Sequence, residues 1–240
     1  MYLSTSVLVA ALASLAHAQT PSGFKPQAET KLDVIFNSTM VNTPGQQLAK
    51  AAVATQPQLA MSSGMTSRSE TYMFVMLDLD VPPTNGSTTR RVLLHCMNTG
   101  FKATGQQLSG GTTLLASSQK GPAAYIPPGP PATDTVAHRY VQLLFQQPSN
   151  LNISAADFAD TQKRFNFDVA SFMSKNGVSA PVAANFFRVD GRASATATGA
   201  ASGTGSMPTS TLDSFQGTAG KMDLPYGLAG LIGGVALLAM

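Results

Sequence analysis

The apolar residues of this chain come in short, dense runs. Leu32-Asp33-Val34-Ile35-Phe36, Tyr72-Met73-Phe74-Val75-Met76-Leu77, Val92-Leu93-Leu94-His95-Cys96-Met97 and Tyr140 to Phe145 lie in a chain punctuated by Pro, Gly and Asn. Runs of this length, bounded by turn residues, predict buried strands. Strands that outnumber the helical signals make the fold class mostly β, a β-rich domain with a few helices at its margins. The helical signals come late. Residues 166–177 read as one helix, capped by Asn166 or Asp168 and ended by Gly177, with Phe167, Val169 and Phe172 on its core face. A second helix is expected around Ala155 to Arg164.

Only part of the chain can contribute to such a core. From Arg192 onward the sequence is almost all Ala, Ser, Thr and Gly without apolar periodicity. A segment of that kind buries too little surface to offset chain entropy, so residues 192–217 are expected to form a flexible stalk. At the other end, the apolar stretch Val7 to Leu15 closes on Ala16-His17-Ala18, a small-x-small cleavage pattern. Residues 1–18 therefore read as a signal peptide. The C-terminal GLAGLIGGVALLAM is apolar, uncharged and preceded by the spacer GKMDLPY and the small triplet Gly217-Thr218-Ala219. That order matches a glycosylphosphatidylinositol (GPI) anchor signal, with residues 218–240 removed and attachment at Gly217, Ser214 and Gly220 being rival sites. A single folded domain over 19–191 remains. The expected location is extracellular, at the cell surface, tethered to the membrane by the anchor.

Composition narrows the chemistry. Cys96 is the only cysteine, so no disulfide can form within the chain; inside an apolar run it reads as a small buried hydrophobe. Sequons at Asn37, Asn85 and Asn152 are candidate glycosylation sites on surface loops. The formal charge is +3, and the basic residues are scattered rather than striped, which argues against nucleic acid as a partner. Beyond the signal peptide the histidines are His95 and His138. No metal-ligand spacing, no Gly-x-Ser-x-Gly elbow and no phosphate-cradling glycine loop accompanies them. No cofactor, no metal and no catalytic residue is expected, and the chain reads as a non-enzyme.

Three features remain. Asp78-x-Asp80-x-Pro82 places two carboxylates on the same side of an extended chain, followed by a proline-fixed turn. Gly129-Pro130-Pro131 is a rigid turn. His138-Arg139-Tyr140 opens an apolar strand. Taken singly, each has a plain structural reading: a turn-capping Asp, punctuation, and a satisfied histidine at a strand start.

Their order and spacing resemble the phosphatidylethanolamine-binding protein family. A strand ending at Asn98, the helix containing Phe167, Val169, Ala170 and Phe172, and the run from Ala180 to Phe187 extend that resemblance over about residues 30 to 190. It implies a β-sandwich carrying a small anion pocket. Asp78, Asp80, Pro82, Gly129, Pro130, Pro131, His138 and Tyr140 are the ligand-binding candidates. His138 would donate to a phosphate oxygen from beside the rigid turn. The family's histidine pair before Asn98 is replaced here by Val92 and Leu93. His95 lies two residues past Leu93, on the same strand face, and is a candidate for the pocket rim.

The leading expectation is a binding module for a phosphate-bearing small molecule or a phospholipid headgroup. The alternative is a protease-inhibitor or other protein-interaction role, acting through surface such as an exposed segment from Gln19 to Thr30 rather than through the pocket.

Overall fold

The computed structural model describes residues 19–84 and 86–193. The signal-peptide segment, Asn85, the stalk from residue 194 on and the anchor segment with Gly217 lie outside the described residues.

In chain order the strands are β1 (Asp33–Phe36), β2 (Thr39–Met40), β3 (Gln46–Gln47), β4 (Gln58–Ser62), β5 (Tyr72–Val81), β6 (Arg91–Leu108), β7 (Thr112–Ala116), β8 (Pro122–Ala123), β9 (His138–Gln146) and β10 (Ala183–Val189). They form one 10-stranded sheet in the order β2-β1-β4-β7-β6-β5-β9-β10-β3, with β8 beside β6. The long strand β6 makes this sheet a sandwich. Its first part, from Arg91 to Phe101, pairs with β5, and its second, from Lys102 to Leu108, pairs with β7. Gly100, at φ +73°, sits at the changeover, a conformation that suits glycine. Only Val92 to Met97 announces itself as a strand in sequence; the second part, KATGQQL, carries no apolar run.

The apolar runs are continuous because both faces of the central strands are covered. Along β5, Tyr72, Phe74 and Met76 enter a core between the two halves of the sheet, with Phe36, Met61, Tyr140 and Phe187. Met73, Val75 and Leu77 enter a second core on the outer face, with Val169, Phe172 and Phe158. Phe187 of β10 meets Phe36 of β1 edge to face at 5.3 Å between ring centroids and stacks on Tyr140 at 5.2 Å. Cys96 is buried in the inner core, and burial pushes its thiol up to about 12, which fits a packing role.

The helix α1 (Val169–Asn176) forms where expected. Asp168 caps it, accepting from the Ala170 and Ser171 N–H groups, and Gly177 ends it at φ 63°. Asn166, the other capping candidate, adopts φ 56° and donates its backbone N–H to the Val92 carbonyl. The helix expected around Ala155 to Arg164 is instead two 3-10 turns, Ala155–Asp157 and Thr161–Arg164. Ser154 and Asp160 each cap a backbone N–H, so the segment starts twice and neither turn extends.

The segment from Gln19 to Thr30 is exposed at Ser22, Gly23, Lys25, Gln27 and Glu29 but anchored to the domain at both ends. Gln19, Thr20 and Ala28 are buried, the Gln19 N–H donates to the Ala28 carbonyl, and the Thr30 carbonyl accepts from Ala184 of β10. Asn37, in the turn between β1 and β2, and Asn152 are exposed, as glycan acceptors must be.

Phe187 links the inner core to the strand that carries the site. Replacing it by alanine is expected to cost about 3–5 kcal/mol of stability. Urea unfolding of Phe187→Ala beside the wild type checks this through the shift in midpoint at an unchanged slope.

Candidate functional site

β5 lies between β6 and β9, and its Asp78 faces Leu93 on one side and Tyr140 on the other. His138 and Tyr140, two apart on β9, project to the same side of that strand. A cavity of about 250 Å³ opens there, between the strand ends and the Pro127–Pro131 turn. Asp78, Pro82, Gly129, Pro130, Pro131, His138 and Tyr140 line it, and so does His95. Leu93, Ile126 and Phe165 add apolar wall. Asp80 is not among the lining residues. Its carboxylate accepts from Arg139 Nε and NH2 at 2.8 Å each and from the Arg139 backbone N–H, clamping β5 to β9. Burial alone would raise the Asp80 pKa, but Arg139 outweighs it and holds it below the usual carboxylate range.

His138 sits between two carboxylates. Its Nδ1 donates to Asp78 Oδ2 at 2.8 Å, and its Nε2 donates to Asp134 Oδ2 at 2.9 Å. Asp134 in turn accepts both Arg90 NH1 at 2.7 Å and NH2 at 2.8 Å. With a carboxylate facing each nitrogen, the arrangement favours the doubly protonated, positively charged ring. Burial would lower its pKa, but the two carboxylates together outweigh burial and raise it. The Arg90 guanidinium holds Asp134 far below the ordinary carboxylate range. In this structure both His138 ring nitrogens are engaged by carboxylates and the residue is 2% exposed, although it lines the cavity.

The uncommitted groups lie beside it. His95 Nδ1 donates to the Ile126 carbonyl at 2.8 Å, leaving Nε2 buried without a hydrogen-bond partner, 3.8 Å from Asp78 Oδ2. Burial lowers the His95 pKa, opposed in part by the Ile126 carbonyl and Asp78. The neutral ring thus presents a bare Nε2 lone pair. The Tyr140 hydroxyl, on a ring edge-on to that of His95 with centroids 5.1 Å apart, is also buried and makes no hydrogen bond of ordinary geometry, although the Asp78 carboxylate and the Gly129 backbone both act on it. Burial pushes its pKa far up, so it remains a phenol able to donate.

The charges of Asp78, Asp80 and Asp134 are matched by His138, Arg139 and Arg90. Arg164 adds a further positive charge that no carboxylate meets. Its buried guanidinium donates to the Phe158 and Ala124 carbonyls at 3.0 and 2.7 Å and, among the described residues, forms no ion pair.

Sequence reading did not find Asp134 or Arg90. Asp134 lies four residues before His138, and that spacing could have drawn notice; Arg90 lies 44 residues from its partner and carries no local signal. Among the described residues no group of three or more His, Cys, Asp and Glu is placed to hold a metal ion.

A curled β-sandwich with a small, mostly apolar cavity lined in part by a charged network is the architecture in which these residues meet. The family is shown directly. The phosphatidylethanolamine-binding protein family model matches residues 38–187, and the chain belongs to that family. The chain is 33% identical over 197 residues to phomoidride biosynthesis cluster protein N of Talaromyces stipitatus, covering 76% of this chain and 96% of that protein. It is 31% identical over 162 residues to the 26 kDa secreted antigen of Toxocara canis, covering 66% of this chain and 55% of the antigen. A carboxypeptidase Y inhibitor, solved in complex with its cognate proteinase, shares the fold at TM-score 0.52 and 20% identity, over 68% of this chain and 84% of that one.

The network makes stability depend on pH. The folded-state pKa of His138 lies above its ordinary 6.5, so its contribution is fully present below that value and is lost as pH rises through the raised value. His138→Gln leaves buried carboxylates facing a neutral amide and is expected to cost about 3–5 kcal/mol at pH 6. Urea midpoints measured from pH 6 to 9 should show the gap between wild type and variant narrowing as pH rises.

Proposed function

We propose that this protein is a binding module whose cavity takes a phosphate-bearing small molecule or a phospholipid headgroup. The observation that carries this reading is the buried, unpartnered His95 Nε2 at the cavity, beside a Tyr140 hydroxyl that makes no hydrogen bond of ordinary geometry. A buried polar atom without a partner costs on the order of 1–3 kcal/mol, which a bound ligand would recover. The unmatched charge of Arg164 behind the wall favours an anion there. Tyr140 donates directly. His95 donates from Nε2 only after taking up a proton, since Nδ1 is fixed on the Ile126 carbonyl. In this reading His95 stands in for the histidine that Leu93 lacks, and His138 holds Asp78 and the Asp134 turn in place.

Two measurements follow from that assignment. Titration calorimetry of phosphoethanolamine and of inorganic phosphate should give saturable binding, with Tyr140→Phe and His95→Leu each weakening it about ten- to a hundredfold. Wild-type affinity should rise as pH falls toward 5.5, with net proton uptake on binding, and His95→Leu should lose that uptake. A folded wild type that binds neither probe would turn the reading to a protein partner, such as the proteinase that the structurally similar inhibitor binds.

The same reading places the protein outside the cell, held by a GPI anchor. The signal-like N-terminus, the anchor-like C-terminus, the exposed sequons Asn37 and Asn152, and a relative named as a secreted antigen support it. Treating intact cells with phosphatidylinositol-specific phospholipase C should release the protein into the medium. Retention on the cells would overturn the anchor.

A further inference from the structure

The turn at Gly191, near the end of the described residues, lies against the wall of the cavity. β10 ends at Val189, and Gly191, buried, is packed on the Gly129-Pro130-Pro131 turn. A methyl group added at Gly191 would fall 2.1 Å from the Pro131 carbonyl oxygen and 2.7 Å from that of Pro130. Neither is a flexible side chain that could swing away; both are backbone atoms of a turn with little freedom. The contact is fastened from the far side, where Lys50 Nζ donates to the Gly191 carbonyl at 3.1 Å.

The Pro131 carbonyl has a second role. It accepts the Asp134 backbone N–H at 3.1 Å, closing the turn that carries the Asp134 carboxylate to His138 Nε2 and to Arg90. A continuous path therefore runs from the Lys50 ammonium through Gly191 and Pro131 to Asp134 and the imidazole. Displacing the Pro131 carbonyl moves one of the two carboxylates that hold His138.

We infer that Gly191 is a positioning residue for the cavity: its missing side chain lets it seat the Pro130-Pro131 turn, and through it Asp134 against His138. The functional meaning of this device rests on the binding reading given above, but its geometry does not. Gly191 backs the turn that forms the cavity wall, so a bulkier residue at 191 is felt at the site.

The test reads the His138 ring itself. Imidazole resonances of the full chain are followed by NMR against pH without ligand, with His17, His95 and His138 distinguished by single replacements. The charged groups around His138 are Asp78 and Asp80 from β5 and Asp134 from the turn, with Arg139 on Asp80, Arg90 behind Asp134, and the neutral His95 and Tyr140 alongside. Gly191→Ala is expected to lower the His138 midpoint by about one pH unit, the scale of losing one carboxylate partner. A folded Gly191→Ala protein with an unchanged His138 midpoint would overturn the assignment, even if its melting temperature fell, because a merely structural glycine alters stability alone. Should that variant not fold, Lys50→Met keeps the close approach but removes its fastening and is read the same way. A lowered midpoint supports the path and an unchanged one overturns it. Failure of phosphate and phosphoethanolamine to bind the wild type would defeat the binding reading and leave this result standing.

Discussion

The pairing of His138 with Asp78 and Asp134 is the constraint on which the rest of the site depends. It joins three separate pieces of chain: β5 through Asp78, β9 through His138, and the turn after Pro131 through Asp134. Arg90 extends it to the connection between β5 and β6. Taking three ionised groups out of water is costly, and the cost is offset only while every member keeps its partners. Removing one member strands the others, so the arrangement behaves as a unit. A second clamp, Asp80 on Arg139, holds the same two strands one step further along.

Those clamps divide the labour among the polar residues. Asp78, Asp80, Asp134, His138 and the two arginines fix geometry and neutralise one another. Tyr140 and His95 are left with unspent capacity, and they stand together because Tyr140 is packed between His95 and Phe187. A core aromatic contact thus orients a cavity hydroxyl. The inner core and the site are one mechanical system, which is why Phe187, stacked on Tyr140, matters to where the Tyr140 hydroxyl lies.

Much of this was legible in the sequence, and the reasons differ by element. Runs such as Tyr72 to Leu77 reported strands covered on both faces, because alternate residues feed two different cores. Asp168 and Gly177 bounded the helix through capping chemistry that is local by nature. The second part of β6 was invisible, since its residues stay exposed or half-buried and only backbone pairing with β7 makes it a strand. The stretch from Ala155 to Arg164 looked helical in composition, but two competing caps split it.

The sequence by itself determined the cast of the cavity: the Asp78 strand, the Gly129-Pro130-Pro131 turn and the His138 strand could be named because each sits in a short motif with its own local logic. Only the tertiary structure decided what each does. Whether a histidine donates to a ligand or is spent on two carboxylates depends on Asp134 and Arg90, which arrive from elsewhere in the chain. Whether His95 looks into the cavity or the core depends on how β6 lies across β5, where shifts in strand register fall between Met76 and Val81. The requirement for glycine at 191 exists only because another turn's carbonyls occupy the space a side chain would need. Local motifs encode which groups are present; charge partners and close approaches are long-range facts, settled when the strands meet.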